Sequence, residues 1–287
     1  MKAPARLTAL LLSAALLLTG CGGSGTEPVP EPAAAELELY FFNAGKADAI
    51  LLSTRSSAVL IDAGETGFGA EILAQLEAQG IETLDLLIVT HFDKDHVGGA
   101  AELLAGIPVK RVLQSNQPKD SKQYAAYAAA LAQRGIEAET VRELLDFSLD
   151  GVRYTVDPPR QSEYEENSSN NSSLIVTVEA GSRRFLLAGD AQTQRLAEFL
   201  DTQPGHVDLL KLPHHGQEEP LLEQLLAAVT PDCTVITSSG QEPESEAVTA
   251  ALEQAGSRVL LTRLGAVRVR CGEAGLSVTQ EGQSGVS

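Results

Sequence analysis

The sequence predicts an α/β fold of four layers, in which two stacked β-sheets are covered by helices on both outer faces. Clusters of short β-rich runs give way to strand–helix units, and this succession occurs twice along the chain, a pattern typical of sheets packed under helices. Hydrophobic residues make up 43% of the 287 residues and charged residues 21%. This composition excludes a disordered or collagen-like chain and permits a sizeable core.

The first half of the predicted domain is a hairpin-rich sheet that leads into a helix and a buried strand. Strands are predicted at 37–43, 48–53 and 58–62. Ile72, Leu73 and Leu76 follow at helical spacing before Gly80 ends the helix. The apolar run 84–90, LDLLIVT, is typical of a strand covered on both faces.

The second half repeats this pattern with more helices. The Ala-rich run 121–134, which ends at Gly135, is predicted to be a surface helix. A polar stretch at 161–169 precedes a strand that turns at 180–182 into its hairpin partner. The remaining predicted strands are 174–178, 185–187, 207–212, 233–237 and 258–270, and the remaining predicted helices are 192–201, 219–229 and 245–255.

The N-terminus has the pattern of an export signal. Lys2 and Arg6 precede an apolar stretch at 7–18, which is shorter than the roughly 20 residues that span a bilayer. Residues 18–21, LTGC, resemble the bacterial lipoprotein lipobox, whose cysteine is acylated. We therefore expect a signal peptide at 1–20, a Gly/Pro/Glu-rich linker at 21–36 that carries lipidated Cys21, and a folded domain at 37–287.

This organisation predicts where the protein resides. We expect it on the extracytoplasmic face of a bacterial cell membrane, held by the lipid on Cys21, with no transmembrane helix in the mature chain. An exported location permits a disulfide between Cys233 and Cys271, and two separate buried thiols are the alternative that the sequence leaves open. No protein partner is predicted.

The charge balance restricts the classes of partner. With 21 Lys+Arg against 39 Asp+Glu, the formal net charge is −18, and loss of residues 1–20 would remove two further positive charges. Such a chain is not a basic protein that coats DNA. Aromatic residues make up 4% of the chain and tryptophan is absent, so a stacking platform for bases is not expected.

One loop carries most of the chemical information. His91, Asp93, Asp95 and His96 are four potential metal ligands within six residues, directly after the predicted strand 84–90. Gly98 and Gly99 then permit a tight turn. A solvated charged loop is the plainer interpretation. It is disfavoured because four of the five histidines in the chain fall into two clusters.

The second histidine cluster and two acids have the same relation to their strands. His214 and His215 follow the apolar run 207–212, Asp190 follows strand 185–187, and Asp62 ends strand 58–62. Taken singly, Asp62 and Asp190 would more often be turn residues. Their repeated placement predicts that these side chains meet at one sheet edge and form a two-metal site.

The ordered set of motifs resembles the metallo-β-lactamase fold, and most closely the C-terminal hydrolase domain of the ComEC-type DNA-internalisation proteins. Asp62, the His91–His96 block, Asp190 and His214 occur in the order of that fold. Three further segments are similar to motifs of the ComEC group, namely 41–50 (FFNAGKADAI), 170–174 (NNSSL) and 212–216 (LPHHG). The resemblance spans 37 to about 270 and implies the αββα metallo-β-lactamase sandwich.

The resemblance also implies two divalent metal ions, Mn²⁺ or Zn²⁺. The first site would comprise His91, Asp93 and bridging Asp190, which is oxygen-rich and suits Mn²⁺. The second would comprise Asp95, His96, His214 and Asp190. The superfamily's third-motif histidine is missing, because no histidine lies between His96 and His206, and Asn170 or Asn171 falls in its region.

The remaining roles follow from the same resemblance. Asp95 and Asp190 are expected to be catalytic, with Asp95 orienting the attacking water, and His215 to contact the substrate or donate a proton. Asp62 is expected to brace the metal-binding loop, and Asn171 to lie near the metals or the substrate. His214 is preferred to His215 as the ligand because it is nearer the strand end.

The predicted function is that of an exported, lipid-anchored, metal-dependent hydrolase, a phosphodiesterase or nuclease that uses water activated by two metal ions. Its substrate would be a small-molecule or nucleic-acid phosphodiester. One alternative is hydrolysis of a lactone or another small ester, which fits the acidity of the chain equally well. Another is a surface lipoprotein that binds metal or a ligand without catalysis.

Overall fold

The computed structural model describes residues 36–282, so the predicted signal peptide, Cys21 and most of the predicted linker lie outside the described residues. In chain order, the strands are β1 (Leu37–Phe41), β2 (Ile50–Ser53), β3 (Ala58–Ile61), β4 (Leu86–Val89), β5 (Val112–Gln114), β6 (Glu139–Thr140), β7 (Leu145–Leu149), β8 (Val152–Asp157), β9 (Ile175–Ala180), β10 (Arg183–Leu187), β11 (Leu209–Lys211), β12 (Cys233–Ile236), β13 (Arg258–Leu261), β14 (Val267–Gly272) and β15 (Gly275–Gln280). The helices are α1 (Gly69–Ala78), α2 (Lys94–Val97), α3 (Ala100–Gly106), α4 (Lys122–Arg134), α5 (Ser168–Asn171), α6 (Thr193–Leu200), α7 (Leu222–Val229) and α8 (Glu246–Gln254).

The first sheet has the strand order β15-β14-β1-β2-β3-β4-β5-β6. Strands β15 to β3 pair antiparallel, whereas β3, β4, β5 and β6 run parallel. Ile61 at the end of β3 is paired with Ile88 near the end of β4. Because parallel strands end at one edge, the loops that follow β3 and β4 start side by side.

The second sheet has the order β13-β12-β11-β10-β9-β8-β7. Strands β10 to β13 are parallel, and Leu187, Lys211 and Val235 lie in register across β10, β11 and β12. The segments that leave these strands therefore begin at the same height of the sheet. They carry Asp190, His215 and Thr237.

Three buried clusters define the layers. The largest lies between the sheets and joins residues of the first sheet, such as Phe41 and Ile88, to residues of the second, such as Phe185 and Val235. A second cluster packs the first sheet against α1, α3 and α4, and a third packs the second sheet against α6, α7 and α8. The order helix–sheet–sheet–helix confirms the predicted four-layer α/β class.

Several strands were not predicted from the sequence, and the structure gives the physical reasons. Strands β5 and β6 are only three and two residues long, and neighbouring parallel strands hold them in the sheet. Strands β7 and β8 form an edge hairpin whose turn residues, Asp150 and Gly151, both have positive φ. The predicted helix at 121–134 is present as α4, with Ser121 capping its first turn and Gly135 ending it at φ 64°.

Two further observations concern cysteines and membrane segments. Cys233 and Cys271 are buried free thiols. Of the two alternatives that the sequence left open, a disulfide or two separate thiols, the structure has the separate thiols. Within residues 36–282, the structure contains no helix with the length and apolar character needed to cross a membrane.

Candidate metal centre

A cleft lies where the parallel strands of both sheets end. It has a volume of ≈ 430 Å³ and is lined by Asp95, Asp190 and His215, among other polar side chains. Asp95, His96, Asp190 and His215 each offer one ligand atom, and these four atoms all lie within 4.8 Å of one another. We call these four residues the metal cluster. Asp95 and His96 lie on the short helix α2, which follows β4, whereas Asp190 and His215 follow β10 and β11.

His215 is aimed into the cluster by an unusual backbone turn. The segment Pro213–Gly216 forms a tight turn in which His214 and His215 both have left-handed backbone angles, φ 50° and 52°. Such angles are costly for non-glycine residues and are concentrated at functional sites. The Nδ1 atom of His215 lies 2.9 Å from the carbonyl oxygen of Thr237, and its Nε2 lies 3.1 Å from Asp190 Oδ2 and 3.5 Å from Asp95 Oδ2.

His214 does not enter the cluster, although the sequence analysis preferred it as the ligand. Its Nδ1 lies 3.0 Å from Glu219 Oε1 and 2.9 Å from the amide nitrogen of Gln192. The ring lines the cleft above the metal cluster. The structure therefore corrects the preference for His214 over His215, because His215 is the one of the two whose ring nitrogen joins the ligand atoms of Asp95, His96 and Asp190.

His96 is oriented by Asp62 from behind. The Nδ1 atom of His96 lies 2.8 Å from Asp62 Oδ2, and its Nε2 faces Asp190 Oδ2 at 3.2 Å. Asp62 also accepts hydrogen bonds from the backbone nitrogen and the hydroxyl of Thr90, at 2.7 and 2.6 Å. All of its hydrogen bonds therefore lead to the base of the metal-binding loop, and a carboxylate behind a histidine fixes the tautomer that leaves Nε2 free.

Asp190 stands at the centre of the cluster. Its backbone nitrogen donates to Ser173 Oγ at 3.1 Å, which holds the loop after β10 against the segment before β9. Gly189, with φ +52°, permits this approach, because an added Cβ would lie 3.2 Å from atoms of both Ser173 and Thr90. Only glycine adopts that angle without cost while leaving this space free.

The loop after β4 also depends on a glycine. A Cβ on Gly99 would lie 2.3 Å from the carbonyl oxygen of Ala63, so another residue would push apart the segments that follow β3 and β4. The backbone nitrogen of Ala63 donates to the carbonyl oxygen of His96 at 2.8 Å. Close packing of these two segments fixes the direction in which His96 leaves the backbone.

Two buried charged residues at the centre were not identified from the sequence. Lys211 ends β11 with a fully buried side chain, contacts Asp48 through its ammonium group, and donates to the carbonyl oxygen of Gly189 at 2.9 Å. Its Nζ lies 3.7 Å from Asp190 Oδ1. Asp48 also accepts a 2.6 Å hydrogen bond from the hydroxyl of Thr237. The sequence signal for this buried pair was a lysine within the apolar run 207–212, because lysine is almost never fully buried without a partner.

The other predicted site residues lie beside the cluster. His91 is fully buried, and its Nε2 lies 4.0 Å from Asp190 Oδ2. Asp93 accepts hydrogen bonds from Lys119 and Ser169. Asn171 is turned away, since its side chain bonds the carbonyl oxygen of Glu166 and the backbone nitrogen of Arg195.

The electrostatics favour a cation between the carboxylates. Burial acts to raise the pKa of Asp190, yet His215 and His96 hold this pKa well below its usual range. The pKa of Asp95 is likewise lowered by contacts with His215 and His96 against the effect of burial. Burial, and to a lesser extent the neighbouring His96, lowers the pKa of His91 to about 4, so this ring is neutral at pH 7. Against the effect of burial, Asp190 raises the pKa of His215 to about 9.

The donor atoms fit a divalent metal ion. Within the described part of the chain, four buried atoms at the centre lack a hydrogen-bond partner, namely Nε2 of His91, His96 and His215 and Oδ1 of Asp190. Buried polar atoms are rarely left unpartnered, and two imidazole nitrogens with two carboxylates form a ligand set suited to Zn²⁺ or Mn²⁺. Asp95, His96, Asp190 and His215 could therefore hold an ion.

Comparison with known proteins agrees with this geometry. The chain is 28% identical to ComE operon protein 3 of Bacillus subtilis over 227 residues, which are 71% of this chain and 28% of that protein. It is 28% identical to the competence protein ComA of Neisseria gonorrhoeae over 270 residues, 92% of this chain and 36% of that protein. The chain thus spans about a third or less of the length of these relatives, and the resemblance to ComEC-type proteins is confirmed.

Solved structures and a family model give the same fold. A mutant of CmlA, a β-hydroxylase from Streptomyces venezuelae, superposes with a TM-score of 0.58 at 18% identity, covering 85% of this chain and 55% of that one. The model of the metallo-beta-lactamase superfamily matches residues 43–239, and this fold implies bound divalent metal ions. The chain therefore belongs to the metallo-β-lactamase superfamily, as a metal-dependent hydrolase related to the ComEC-type competence proteins.

Proposed function

We propose that the protein hydrolyses a phosphodiester of a nucleic acid or nucleotide with the help of a divalent ion, Mn²⁺ or Zn²⁺. The observation that carries the proposal is the composition of the cleft. Its floor is the metal cluster, and its wall includes Lys46, Lys94 and Lys119 on a chain whose formal net charge is −18. Each of these lysines also contacts a carboxylate, of Glu242, Glu65 and Asp93 respectively, but three ammonium groups around one cleft of an acidic protein favour an anionic substrate over a neutral ester.

The side chains divide into groups with different tasks. Asp95, His96, Asp190 and His215 would hold the ion through ligand atoms that lie within 4.8 Å of one another, and the Nε2 atoms of His96 and His215 have no other partner. A divalent ion there would supply a water molecule of lowered pKa and would polarise the phosphoryl group. His214 lines the cleft with its Nδ1 engaged by Glu219 and would contact the substrate.

The charge of the protein limits the length of the substrate. A strongly acidic body repels a long polyanion, although screening over about 8 Å at physiological salt weakens this effect. The cleft lysines act only locally, because Lys46 lies 3.5 Å from Glu242 and Lys94 lies 3.1 Å from Glu65. We therefore propose a nucleotide or a short single strand as the substrate. The name of the competence relative ComA favours a nucleic-acid phosphodiester.

The test is a hydrolysis panel with matched variants. The metal-loaded protein is assayed on bis(p-nitrophenyl) phosphate, short single-stranded DNA, a lactone and a β-lactam. Asp190→Asn should abolish phosphodiester cleavage, whereas Asp146→Asn should not, because Asp146 pairs with Arg153 on the edge hairpin. Cleavage of the lactone alone would overturn the phosphodiester assignment. Metal binding without turnover of any substrate would favour the non-catalytic alternative.

We further propose that the protein is an exported lipoprotein of a bacterial cell membrane, exposed on the extracytoplasmic face. The support is the signal-like segment at 1–20, the lipobox-like 18–21 and the spacer composition of 21–36. Expressed in a bacterial host, the protein should partition into the detergent phase, and Cys21→Ser should move it to the aqueous fraction. Unchanged partitioning of Cys21→Ser would refute lipidation at that residue.

A further inference from the structure

We infer that this chain holds one divalent ion, in the metal cluster, and that the ammonium group of Lys119 takes the place of a second ion beside Asp93. The inference rests on the metal dependence of the proposed function and adds the number of ions. A second ion would have to use His91 and Asp93 together with Asp190, the set that the resemblance assigns to it, and of these His91 Nε2 lies 4.0 Å from Asp190 Oδ2.

The donors of that second position are too far apart. Among the residues that the structure describes, only three sets of His, Cys, Asp or Glu bring three or more ligand atoms within 4.8 Å of one another. None of these sets includes His91 or Asp93. His91 Nε2 stands 4.0 Å from Asp190 Oδ2, so it offers one nitrogen beside a carboxylate that already belongs to the metal cluster.

Asp93 already has other partners. Its Oδ1 accepts a 2.5 Å hydrogen bond from Lys119 Nζ and another from the hydroxyl of Ser169. Lys119 Nζ is also 3.5 Å from Ser169 Oγ. The three groups form a closed arrangement between the loop after β4 and α5. An ammonium at this distance satisfies the carboxylate and repels a divalent cation that approaches it.

The asparagines in the region of the missing histidine do not complete the position. Both polar ends of the Asn171 side chain are bonded to Glu166 and Arg195. Asn170 lines the cleft with a neutral amide. A divalent ion prefers charged oxygen or imidazole nitrogen to such a group.

The acids behind the cluster do not form a separate ion site either. Asp48, Asp62 and His96 have ligand atoms within 4.8 Å of one another, but a cation of the protein is already present there. The ammonium group of Lys211 contacts Asp48, while both oxygens of Asp62 accept hydrogen bonds. Within residues 36–282, His91 Nε2 also lacks a hydrogen-bond partner, but His91 belongs to no set of three or more ligand atoms, whereas the unpartnered Nε2 atoms of His96 and His215 belong to the metal cluster.

Metal stoichiometry tests the inference independently of activity. The purified protein is stripped of metal, dialysed against Mn²⁺ or Zn²⁺, and analysed by elemental mass spectrometry and titration calorimetry. We expect one ion per chain. Asp93→Asn should keep one ion with an affinity within about threefold of the original, whereas the matched variant Asp95→Asn should bind it at least tenfold more weakly. Circular dichroism controls for folding.

Lys119→Gln tests the role of the lysine. Release of Asp93 should allow a second, weaker ion to bind, and a Lys119→Gln protein that still binds one ion would overturn the part assigned to Lys119. Two ions in the unmodified protein, one of them lost in Asp93→Asn, would overturn the whole inference. Phosphodiesterase activity with two bound ions would refute the inference alone, whereas inactivity with one bound ion would refute only the proposed function.

Discussion

Replacement of Lys211 by methionine should strongly destabilise the domain. Methionine has a similar volume, so the main loss is the buried positive charge that contacts Asp48 and lies 3.7 Å from Asp190. Removing one partner of a buried ion pair costs about 3–5 kcal/mol, because the other charge is left uncompensated. For a domain of this size, each kcal/mol lowers Tm by roughly 2–4 °C, so we expect a decrease of roughly 6–20 °C.

The assay is thermal and urea unfolding of the metal-free protein, followed by circular dichroism, so that loss of a bound ion does not contribute. Lys110→Met is the matched control, because Lys110 pairs with Asp85 at 2.7 Å but is 65% exposed, and such a pair contributes less than about 1 kcal/mol. The double variant Lys211→Met/Asp48→Asn removes both charges and should recover part of the loss. If Lys211→Met costs no more than Lys110→Met, the argument for a buried compensating charge is refuted.

The other predictions concern the metal cluster. His215→Ala should lower metal affinity at least tenfold in titration calorimetry, whereas His214→Ala should leave it nearly unchanged, and the reverse order would show that His214 is the ligand. Asp62→Asn should weaken metal binding by about 10–100-fold, since partners behind a ligand contribute this much; an unchanged Kd would contradict its orienting role. Because the pKa of His215 in the metal-free protein is raised to about 9, this ring is protonated at pH 7. Metal uptake should therefore release a proton, and affinity should rise by about tenfold per pH unit for each proton displaced up to pH 9. Calorimetry in buffers of different ionisation enthalpy measures the proton release, and pH-independent uptake would contradict this prediction.

The sequence was sufficient to locate the candidate site because chemistry-bearing residues follow strands. Asp62, His91 and Asp190 each come just after a strand end, and parallel pairing aligns the ends of β3 and β4 in the first sheet and of β10 and β11 in the second. The position of these residues after strand ends follows from the topology, so it can be predicted without knowing any side-chain angle. The same reasoning gave the four layers, because buried strands and amphipathic helices differ in their hydrophobic period.

The remaining details depend on contacts that no local pattern encodes. Left-handed backbone angles at two successive residues decide between His214 and His215. The contact between Lys119 and Asp93 joins residues 26 positions apart, and the one between Lys211 and Asp48 joins β11 to the segment before β2. Such contacts between distant residues can be identified only when the packing of the two sheets is known.

The division of the metal cluster between the sheets makes a bound ion a cross-link. Asp95 and His96 leave the first sheet and Asp190 and His215 leave the second, so the sheets cannot separate without breaking bonds to the ion. Binding to the folded state alone stabilises a protein by about 2.7 kcal/mol at a ligand concentration of 100 Kd. Chelation should therefore lower the Tm of the whole domain in one cooperative transition, and a chelator that left Tm unchanged would contradict this linkage. Metal supply to the compartment would then control how much folded protein persists as well as how much of it is active.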